Sequence, residues 1–279
     1  MQYHSPAEAY DLIRPTLAAD KVLFMFDSDL TITDRKPPEE AHLAAPPTET
    51  KEQLFQMNTI EGVIVSINTG RDATYTDKTY EAPYAGAYSH GQYLRREFGA
   101  AIQNAFSDPD FNRLDNALSL LLKAVPDMKL ETADEKRVLH IPEHMSEIDQ
   151  KGMLTTIEGL LNDINQDADE PIGVLTGNRV FEIGHAKAGK GPAAEALKQR
   201  YPNYKVISGG DSGTDIDMLN QADIAILVGD LIPDDAISGP STVIRFESPA
   251  QTRELISMMH AQVISDPARD PEILAKLIQ

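Results

Sequence analysis

The chain has 279 residues, carries 44 acidic against 25 basic side chains for a formal net charge of −19, and contains no Cys and no Trp. This charge argues against a general surface for nucleic acid or anionic membranes, and the lack of Cys excludes disulfides and thiol chemistry. No apolar run approaches the length of about 18 residues that is typical of a membrane helix, and no secretory leader is visible, so a cytoplasmic location is the simplest expectation.

The first predicted elements are a helix over residues 7–19 and a buried strand over residues 21–27. The strand is an almost continuous apolar run, which is typical of a strand covered on both faces in a parallel α/β sheet. It ends at Asp27 and Asp29, whose side chains would project to the same side of an extended segment. Two such carboxylates could bind a hard cation, or one could attack while the other moves a proton. A solvated acidic turn is the default alternative.

A second strand, over residues 62–68, also ends in small polar residues, here followed by a cation. The polar, Pro-rich residues 33–50 between the two strands predict a loop or flap beside the strand end. A third short strand is predicted near residues 84–90. This alternation of strands and helices favours a parallel sheet, whose carboxyl edge is where ligands bind.

The pattern then changes to two amphipathic helices, each followed by a pair of short strands, which together predict an inserted α/β domain. The predicted helices cover residues 107–125, opened by Ser107-Asp108-Pro109, and 146–164, and the strands 128–131, 137–141, 172–175 and 179–183, with residues 176–178 as a hairpin turn. We expect residues 1–104 and 187–279 to form the core domain and residues 105–186 to form the insertion.

The alternation of strands and helices resumes after the insertion, with predicted helices over residues 191–200, 249–263 and 267–278 and strands over 205–209, 223–228 and 242–246. The strand over residues 205–209 leads into an acidic loop with Asp211 and Asp215. Since parallel strands deliver their carboxyl ends to one edge, the polar groups that follow them can converge.

Four segments in this order match sequence motifs of one superfamily: Asp27-Ser28-Asp29-Leu30-Thr31, Thr69, Lys190, and Gly210-Asp211-Ser212-Gly213-Thr214-Asp215. The chain resembles the haloacid dehalogenase superfamily of phosphatases. Within it, the chain is most similar to trehalose-6-phosphate phosphatases, through Ser89-His90-Gly91, Val180-Phe181-Glu182-Ile183 and Lys190-Gly191. The resemblance implies a Rossmann-like parallel-sheet core with an inserted α/β cap.

The resemblance also implies roles for the motif residues. Asp27 would attack phosphorus to form an aspartyl-phosphate, and Asp29 would protonate the leaving oxygen and then activate water. Mg²⁺ would be held by Asp27, the backbone carbonyl of Asp29 and Asp211, with Asp215 in support. Lys190 would place positive charge on the transferring phosphoryl group, and Thr69 would donate a hydrogen bond to it. Such a cationic cluster would reverse the field of a chain whose net charge is −19.

Other residues belong to the implied site or depart from the family pattern. Substrate binding would add Gly70, Arg71 and, for the sugar, Glu182 in the cap. Arg71 could equally form a structural ion pair, and Thr69 could instead cap a helix. Lys136 and Arg137 are predicted to be solvated. Two positions depart from the pattern, Leu30 where Gly is usual and Ser212 where Asp is usual; because Leu adopts positive φ only at a cost, Leu30 leaves the turn conformation open.

The sequence therefore predicts a Mg²⁺-dependent sugar-phosphate phosphatase, with trehalose 6-phosphate as the first candidate substrate. Alternatives within this class are phosphatases for mannosyl-3-phosphoglycerate, sucrose 6-phosphate or an amino-sugar phosphate. A phosphomutase would use the same aspartyl-phosphate but return the phosphoryl group to a sugar. The expected partner is a small-molecule sugar phosphate, with no nucleic acid and no membrane, and the sequence gives no oligomeric state.

Overall fold

The computed structural model describes residues 2–19, 21–37, 40, 43–106, 110–125, 127–132, 136–177 and 179–266. The chain divides into two compact units, one formed by Met1–Gln103 with Lys190–Gln279 and the other by Asn104–Gly189. The sequence predicts domain boundaries after residues 104 and 186, which are one and three residues away from the observed boundaries after residues 103 and 189. The predicted closing helix over residues 267–278 lies outside the described residues.

The two units are built from helices and strands that follow one another along the chain. In chain order these are α1 (Pro6–Ala19), β1 (Lys21–Phe26), α2 (Thr48–Asn58), β2 (Val63–Asn68), α3 (Ala73–Tyr80), β3 (Ala85–Tyr88), β4 (Tyr93–Arg95), β5 (Gln103–Asn104), α4 (Asn112–Ala124), β6 (Lys129–Thr132), β7 (Arg137–His140), α5 (Glu147–Asn165), β8 (Ile172–Gly177), β9 (Val180–His185), α6 (Lys190–Arg200), β10 (Tyr204–Gly210), α7 (Ile216–Leu219), β11 (Ile224–Val228), β12 (Thr242–Phe246) and α8 (Pro249–Ser265).

The first unit contains one large sheet in the order β12-β11-β10-β1-β2-β3-β4-β5. The six strands from β12 to β3 run parallel, and β4 is antiparallel to β3. Strand β1 lies in the middle, paired with β10 on one side and β2 on the other. The carboxyl ends of β1, β2 and β10 therefore lie next to one another, at the edge where open α/β sheets bind ligands.

Strand β1 is buried on both faces, as its apolar run predicts. Phe24 and Phe26 point into a core formed with α1, α2 and α8. Leu23 and Met25 point to the opposite face and pack with Leu197 of α6. Because successive side chains alternate across a strand, a run that is apolar at every position is typical of a sheet covered by helices on both sides. This confirms the predicted doubly covered α/β core.

The second unit has two layers, an antiparallel sheet with helices packed on one of its faces. Its four-stranded sheet has the order β6-β7-β9-β8, with every neighbouring pair antiparallel. Strand β9 alternates between buried and partly buried positions, and its Phe181 and Ile183 pack with apolar residues of α4 and α5. Alternation with period two is the pattern expected of a sheet with only one covered face. Among the described helices of both units, none is long and apolar enough to cross a lipid bilayer.

Two local features differ from the sequence-based prediction. The sequence predicts the hairpin turn at residues 176–178, but β8 continues to Gly177, which faces Val180 of β9, so Thr176 and Gly177 belong to the strand. Residue 178 lies outside the described residues. Helix α3 was not predicted, because its sequence alternates Thr, Tyr and charged residues and has no apolar stripe. It begins after Asp72, whose side chain accepts a hydrogen bond from Tyr75 N.

Gly86 offers a direct test of the close contact between β2 and β3. A Cβ at this position would lie 1.9 Å from Ile67 O, a backbone atom of the adjacent strand that cannot move aside. We expect Gly86→Ala to lower the free energy of unfolding by about 3 kcal/mol, measured by urea denaturation. Gly213→Ala, in the same unit, has no atom within 4 Å of the added Cβ and is the matched control. Equal stability of both variants would contradict the packing described.

Candidate active site

Asp27 lies directly after β1, in a turn held by many hydrogen bonds. Its backbone N donates to Gly209 O of β10 at 2.9 Å, and its side chain is almost fully buried. The next residue, Ser28, receives hydrogen bonds at its carbonyl from Ile32 N and Thr33 N, and at its hydroxyl from Tyr80 OH at 2.8 Å. The turn is therefore fixed from both its own residues and α3.

Leu30 adopts a φ of 59° in this turn. The left-handed conformation is thus retained although Leu occupies the position, which settles the question that the sequence left open. For a residue with a Cβ this conformation costs about 1–2 kcal/mol. Such strain persists only where surrounding contacts impose it, here the hydrogen bonds on both sides of Leu30.

Lys190, at the start of α6, links the first and last motifs. Its Nζ donates to Asp27 Oδ1 at 2.5 Å and to Asp215 Oδ1 at 2.6 Å, and all three side chains are buried. The sequence predicted that these groups converge, and the structure brings them together. Charge-assisted hydrogen bonds of this kind are stronger than neutral ones, and the low dielectric of a buried site increases their energy further.

Asp215 holds both Lys190 and the acidic loop in place. Its Oδ2 accepts hydrogen bonds at 3.1 Å from Asp211 N, Ser212 N and Ser212 Oγ. Ser212, which departs from the family pattern, therefore acts as the first residue of a capping box with Asp215. Both oxygens of Asp215 are engaged by these donors, so its position suits the support of Lys190 and the loop.

The buried carboxyl groups carry more negative charge than Lys190 neutralises. Burial, with Asp215 and Asp211 nearby, raises the pKa of Asp27 well above its ordinary value, although Lys190 opposes this. Burial and Asp215 also raise the pKa of Asp211, to about 7. Burial alone would lower the pKa of Lys190, but Asp215 and Asp27 raise it above its ordinary value. Carboxyl groups with raised pKa values are stabilised as anions by a further cation.

The same cluster has the donor chemistry of a hard divalent cation. One carboxylate oxygen from each of Asp27, Asp211 and Asp215 lies within 4.8 Å of the others. Oxygen-only donors around excess negative charge suit Mg²⁺ better than a soft metal. The residues present therefore fit a divalent metal. Asp29, which was expected to contribute its backbone carbonyl, has its side chain outside this carboxylate cluster.

The Asp29 side chain pairs with Arg71 instead. Arg71 Nε donates to Asp29 Oδ2 at 2.9 Å, and the guanidinium lies over the ring of Tyr75 with 5.0 Å between Cζ and the ring centroid. Of the two alternatives for Arg71, the structure shows an ion pair. Its predicted contact with substrate stays a prediction.

Thr69 and Gly70 form the loop after β2, against a strained segment. Thr69 Oγ1 accepts a hydrogen bond from Arg71 N at 3.1 Å, which leaves its hydroxyl proton to be donated elsewhere. Thr69 does not cap α3, because Asp72 is the capping residue. His90 N donates to Thr69 O, and a Cβ at Gly70 would lie 2.4 Å from His90 Nε2, so a larger residue at position 70 would displace that imidazole.

The segment Ser89-His90-Gly91 has positive φ at all three residues, with values of 48°, 51° and 89°. Two consecutive non-glycine residues in this region are unusual, and strain of this kind clusters at functional sites. Ser89 N donates to Arg71 O as His90 N does to Thr69 O. The segment therefore holds the loop after β2 in place through these two backbone hydrogen bonds. Tyr80 and Tyr75 also support the site, and no sequence motif points to either residue.

Glu182 lies in the second unit, on β9. Its Oε2 accepts a hydrogen bond from Lys136 Nζ at 2.9 Å, and Arg137 forms a bond of 2.7 Å to Asp115 while lying over Phe111. The side chains of Lys136 and Arg137 are only 18% and 12% exposed. The prediction that both are solvated is wrong, because Lys136 is held by Glu182 of β9 and Arg137 by Asp115 of α4.

The parallel sheet with an inserted α/β unit, and motif residues grouped at the carboxyl ends of β1, β2 and β10, define a phosphatase of the haloacid dehalogenase superfamily. The family model for sucrose-6F-phosphate phosphohydrolase matches residues 88–240, more than half of the chain. The chain belongs to this family of sugar-phosphate phosphatases. No curated protein sequence matches the chain significantly.

Solved structures share the fold over nearly the whole chain. The C-terminal domain of trehalose-6-phosphate phosphatase from C. albicans is 17% identical, with a TM-score of 0.73 over 94% of this chain and 99% of that one. Trehalose-6-phosphate phosphatase from Aspergillus fumigatus is 20% identical, with a TM-score of 0.64 over the same shares. A haloalkanoate-superfamily phosphatase from Bacteroides thetaiotaomicron is 16% identical, with a TM-score of 0.54 over 87% and 95%. At these identities the likeness concerns the fold.

Proposed function

We propose that this protein is a Mg²⁺-dependent phosphatase that hydrolyses the 6-phosphate of a disaccharide, with trehalose 6-phosphate as the first candidate substrate. The observation that carries the proposal is the buried contact of Lys190 with both Asp27 and Asp215, beside Asp211. This arrangement joins a nucleophile, a fixed cation and a metal-binding carboxylate at one sheet edge. These are the components that phosphoryl transfer needs, since its catalysis depends on positioning and charge stabilisation.

In the first step, Asp27 attacks phosphorus. A bond forms between the Asp27 carboxylate and phosphorus while the bond from phosphorus to the sugar oxygen breaks, and Asp29 gives its proton to that oxygen. Only the ionised form of Asp27 can attack. Burial raises its pKa, so Lys190 at 2.5 Å is needed to keep the carboxylate charged.

In the second step, water hydrolyses the aspartyl-phosphate. Asp29, now ionised, takes a proton from water, the water oxygen bonds to phosphorus, and the bond from phosphorus to Asp27 breaks to release inorganic phosphate. Asp29 is suited to both steps because its side chain is 40% exposed, and so is open to solvent, whereas Asp27 is buried. Lys190 and the Thr69 hydroxyl would stabilise charge on the phosphoryl oxygens.

Mg²⁺ would be held by Asp27 and Asp211, with the Asp29 backbone carbonyl as the third protein ligand. When bound, it supplies positive charge that offsets the carboxylates and the anionic phosphoryl group. Asp215 would support this set through its three donors from the acidic loop and its bond to Lys190.

The sugar would be recognised in part by Glu182, whose carboxylate is held by Lys136 on the second unit. A carboxylate oriented by a lysine can accept hydrogen bonds from sugar hydroxyls. Trehalose 6-phosphate is supported by the motif resemblance, and solved trehalose-6-phosphate phosphatases share the fold. The family model gives sucrose-6F-phosphate as the second candidate. Mannosyl-3-phosphoglycerate and amino-sugar phosphates remain alternatives, and a phosphomutase would require the sugar to take the phosphoryl group back.

A phosphate-release assay across these sugar phosphates tests the proposal. We expect turnover with Mg²⁺, its loss in EDTA, its return when Mg²⁺ is restored, and the highest kcat/KM with trehalose 6-phosphate. Inorganic phosphate released without a bisphosphate activator would distinguish hydrolysis from mutase activity. A kcat/KM for sucrose-6F-phosphate far above that for trehalose 6-phosphate would reassign the substrate but leave the chemistry intact. No release from any of them would refute the proposed function.

A further inference from the structure

Arg71 is held in place by contacts on every part of the residue. Its backbone N donates to Thr69 Oγ1 at 3.1 Å and its carbonyl accepts from Ser89 N at 2.9 Å. Its guanidinium lies over the Tyr75 ring, and its Nε donates to Asp29 Oδ2. The side chain of Arg71 is 32% exposed, so an isolated ion pair with Asp29 at such a site would restrict the Asp29 carboxylate only weakly. The additional contacts of Arg71 restrict its own movement and thereby strengthen its hold on Asp29.

The Tyr75 ring beneath Arg71 is fixed at both ends. Tyr75 N donates to Asp72 Oδ1 at 2.7 Å in the first turn of α3, and Tyr75 OH donates to Ala44 O at 2.9 Å in the loop before α2. A guanidinium stacked on an immobile ring loses little additional freedom when it forms a hydrogen bond. The chain of contacts therefore runs from Ala44 through Tyr75 and Arg71 to Asp29.

Asp29 depends on such support, because nothing else in the turn orients its carboxylate as strongly. It follows the buried strand, precedes the left-handed Leu30, and its side chain is 40% exposed. A proton-transfer group must lie within hydrogen-bond reach of its target in one orientation, and small displacements cost large factors in rate. The bond from Arg71 engages Oδ2 and thereby limits the orientations open to the Asp29 carboxylate.

We infer that Arg71, stacked on Tyr75, is a positioning residue that holds Asp29 in the orientation needed for proton transfer. The inference rests on the proposed function for what Asp29 does, and on geometry alone for what Arg71 does to Asp29. It differs from a direct contact between Arg71 and the phosphoryl group, which would act on affinity.

Kinetics of Arg71→Met and Tyr75→Leu separate positioning from binding. With the best sugar phosphate and Mg²⁺, we expect kcat to fall about 10²-fold for Arg71→Met and about 10-fold for Tyr75→Leu. KM and the inhibition constant of inorganic phosphate should change less than about threefold in both. Arg71→Lys should restore little of the lost kcat, since Lys lacks the planar group that stacks on Tyr75. A rise in KM and in the inhibition constant with kcat kept would overturn the inference.

Dependence on the leaving group gives a second readout. 4-Nitrophenolate leaves without protonation, so Arg71→Met should release about one equivalent of 4-nitrophenol from 4-nitrophenyl phosphate rapidly and then turn over slowly, because only water activation still needs Asp29. Sugar phosphates should show no such burst. Slow first turnover with both substrates would contradict positioning of Asp29.

The matched control is Arg200→Met. Arg200 also lies over a tyrosine, with 6.0 Å from its Cζ to the Tyr201 ring centroid, and also pairs with a carboxylate, Glu97, but away from the motif residues. Its loss should leave kcat unchanged.

A crystal structure of Arg71→Met tests the geometry independently of activity. The Asp29 carboxylate should leave the orientation it has here, while Asp27 and Lys190 keep theirs. An unchanged Asp29 overturns the inference, even if the wild-type protein is a phosphatase. If the wild-type protein released no phosphate, the proposed function would fail, and this structure would still decide whether Arg71 positions Asp29.

Discussion

Replacement of Asp27 by Asn is expected to lower kcat for sugar-phosphate hydrolysis by at least about 10³-fold while the protein remains folded. An amide cannot attack phosphorus, so the aspartyl-phosphate cannot form. The variant keeps the contact between Lys190 and Asp215, and Asn fits the space of Asp27 without a charge at a site where burial disfavours one. Circular dichroism and thermal unfolding should therefore match the wild type.

Two further measurements make this prediction decisive. Asp217→Asn, an exposed position in the first turn of α7, removes the same charge close to the acidic loop and should keep wild-type kcat. Wild-type protein quenched during turnover should carry one phosphoryl group on the peptide that contains Asp27, and Asp27→Asn should carry none. Phosphorylation of another peptide, or full activity of Asp27→Asn, would place the nucleophile elsewhere.

The core fold could be predicted because its signals are local. Strand β1 is apolar at every position from Val22 to Phe26, which is typical of a parallel strand covered on both faces. The convergence of Asp27, Lys190 and Asp215 followed from topology, since the ends of parallel strands share one edge. Their catalytic roles stay predictions that the substitutions above would test.

The remaining features depend on contacts between residues far apart in the chain. Helix α3 has no apolar stripe, yet it is held by Arg95, 18 positions from Asp77, which binds that residue through two hydrogen bonds of 2.6 and 2.7 Å. The pair between Arg71 and Asp29 joins residues 42 positions apart. Lys136 was expected to be solvated because charged residues usually are, and its partner Glu182 lies 46 positions away. Sequence periodicity carries no information about such pairs.

Lys190→Met should have the second large effect, on both activity and stability. The substitution removes the cation between Asp27 and Asp215 and leaves two buried carboxyl groups without it. Breaking a buried ion pair from one side costs about 3–5 kcal/mol of unfolding free energy. We also expect kcat to fall by at least about 10²-fold, since the positive charge of Lys190, which would stabilise the anionic phosphoryl oxygens, is lost. Lys198→Met on the same helix, whose Nζ donates to a backbone oxygen, Gln221 O, should cost about 1 kcal/mol or less.

The double variant Lys190→Met/Asp215→Asn separates the two effects. Removing one of the two carboxylates with the lysine lowers the unbalanced charge, so part of the lost stability should return, as measured by urea unfolding in EDTA. Activity should not return with it, because the double variant still lacks the cation that keeps Asp27 ionised and faces the phosphoryl group. If stability and kcat recovered together, Lys190 would act on catalysis only by keeping the site folded. If neither changed in Lys190→Met, the buried contacts of its Nζ with Asp27 and Asp215 would carry no energetic weight, which their burial and short distances argue against.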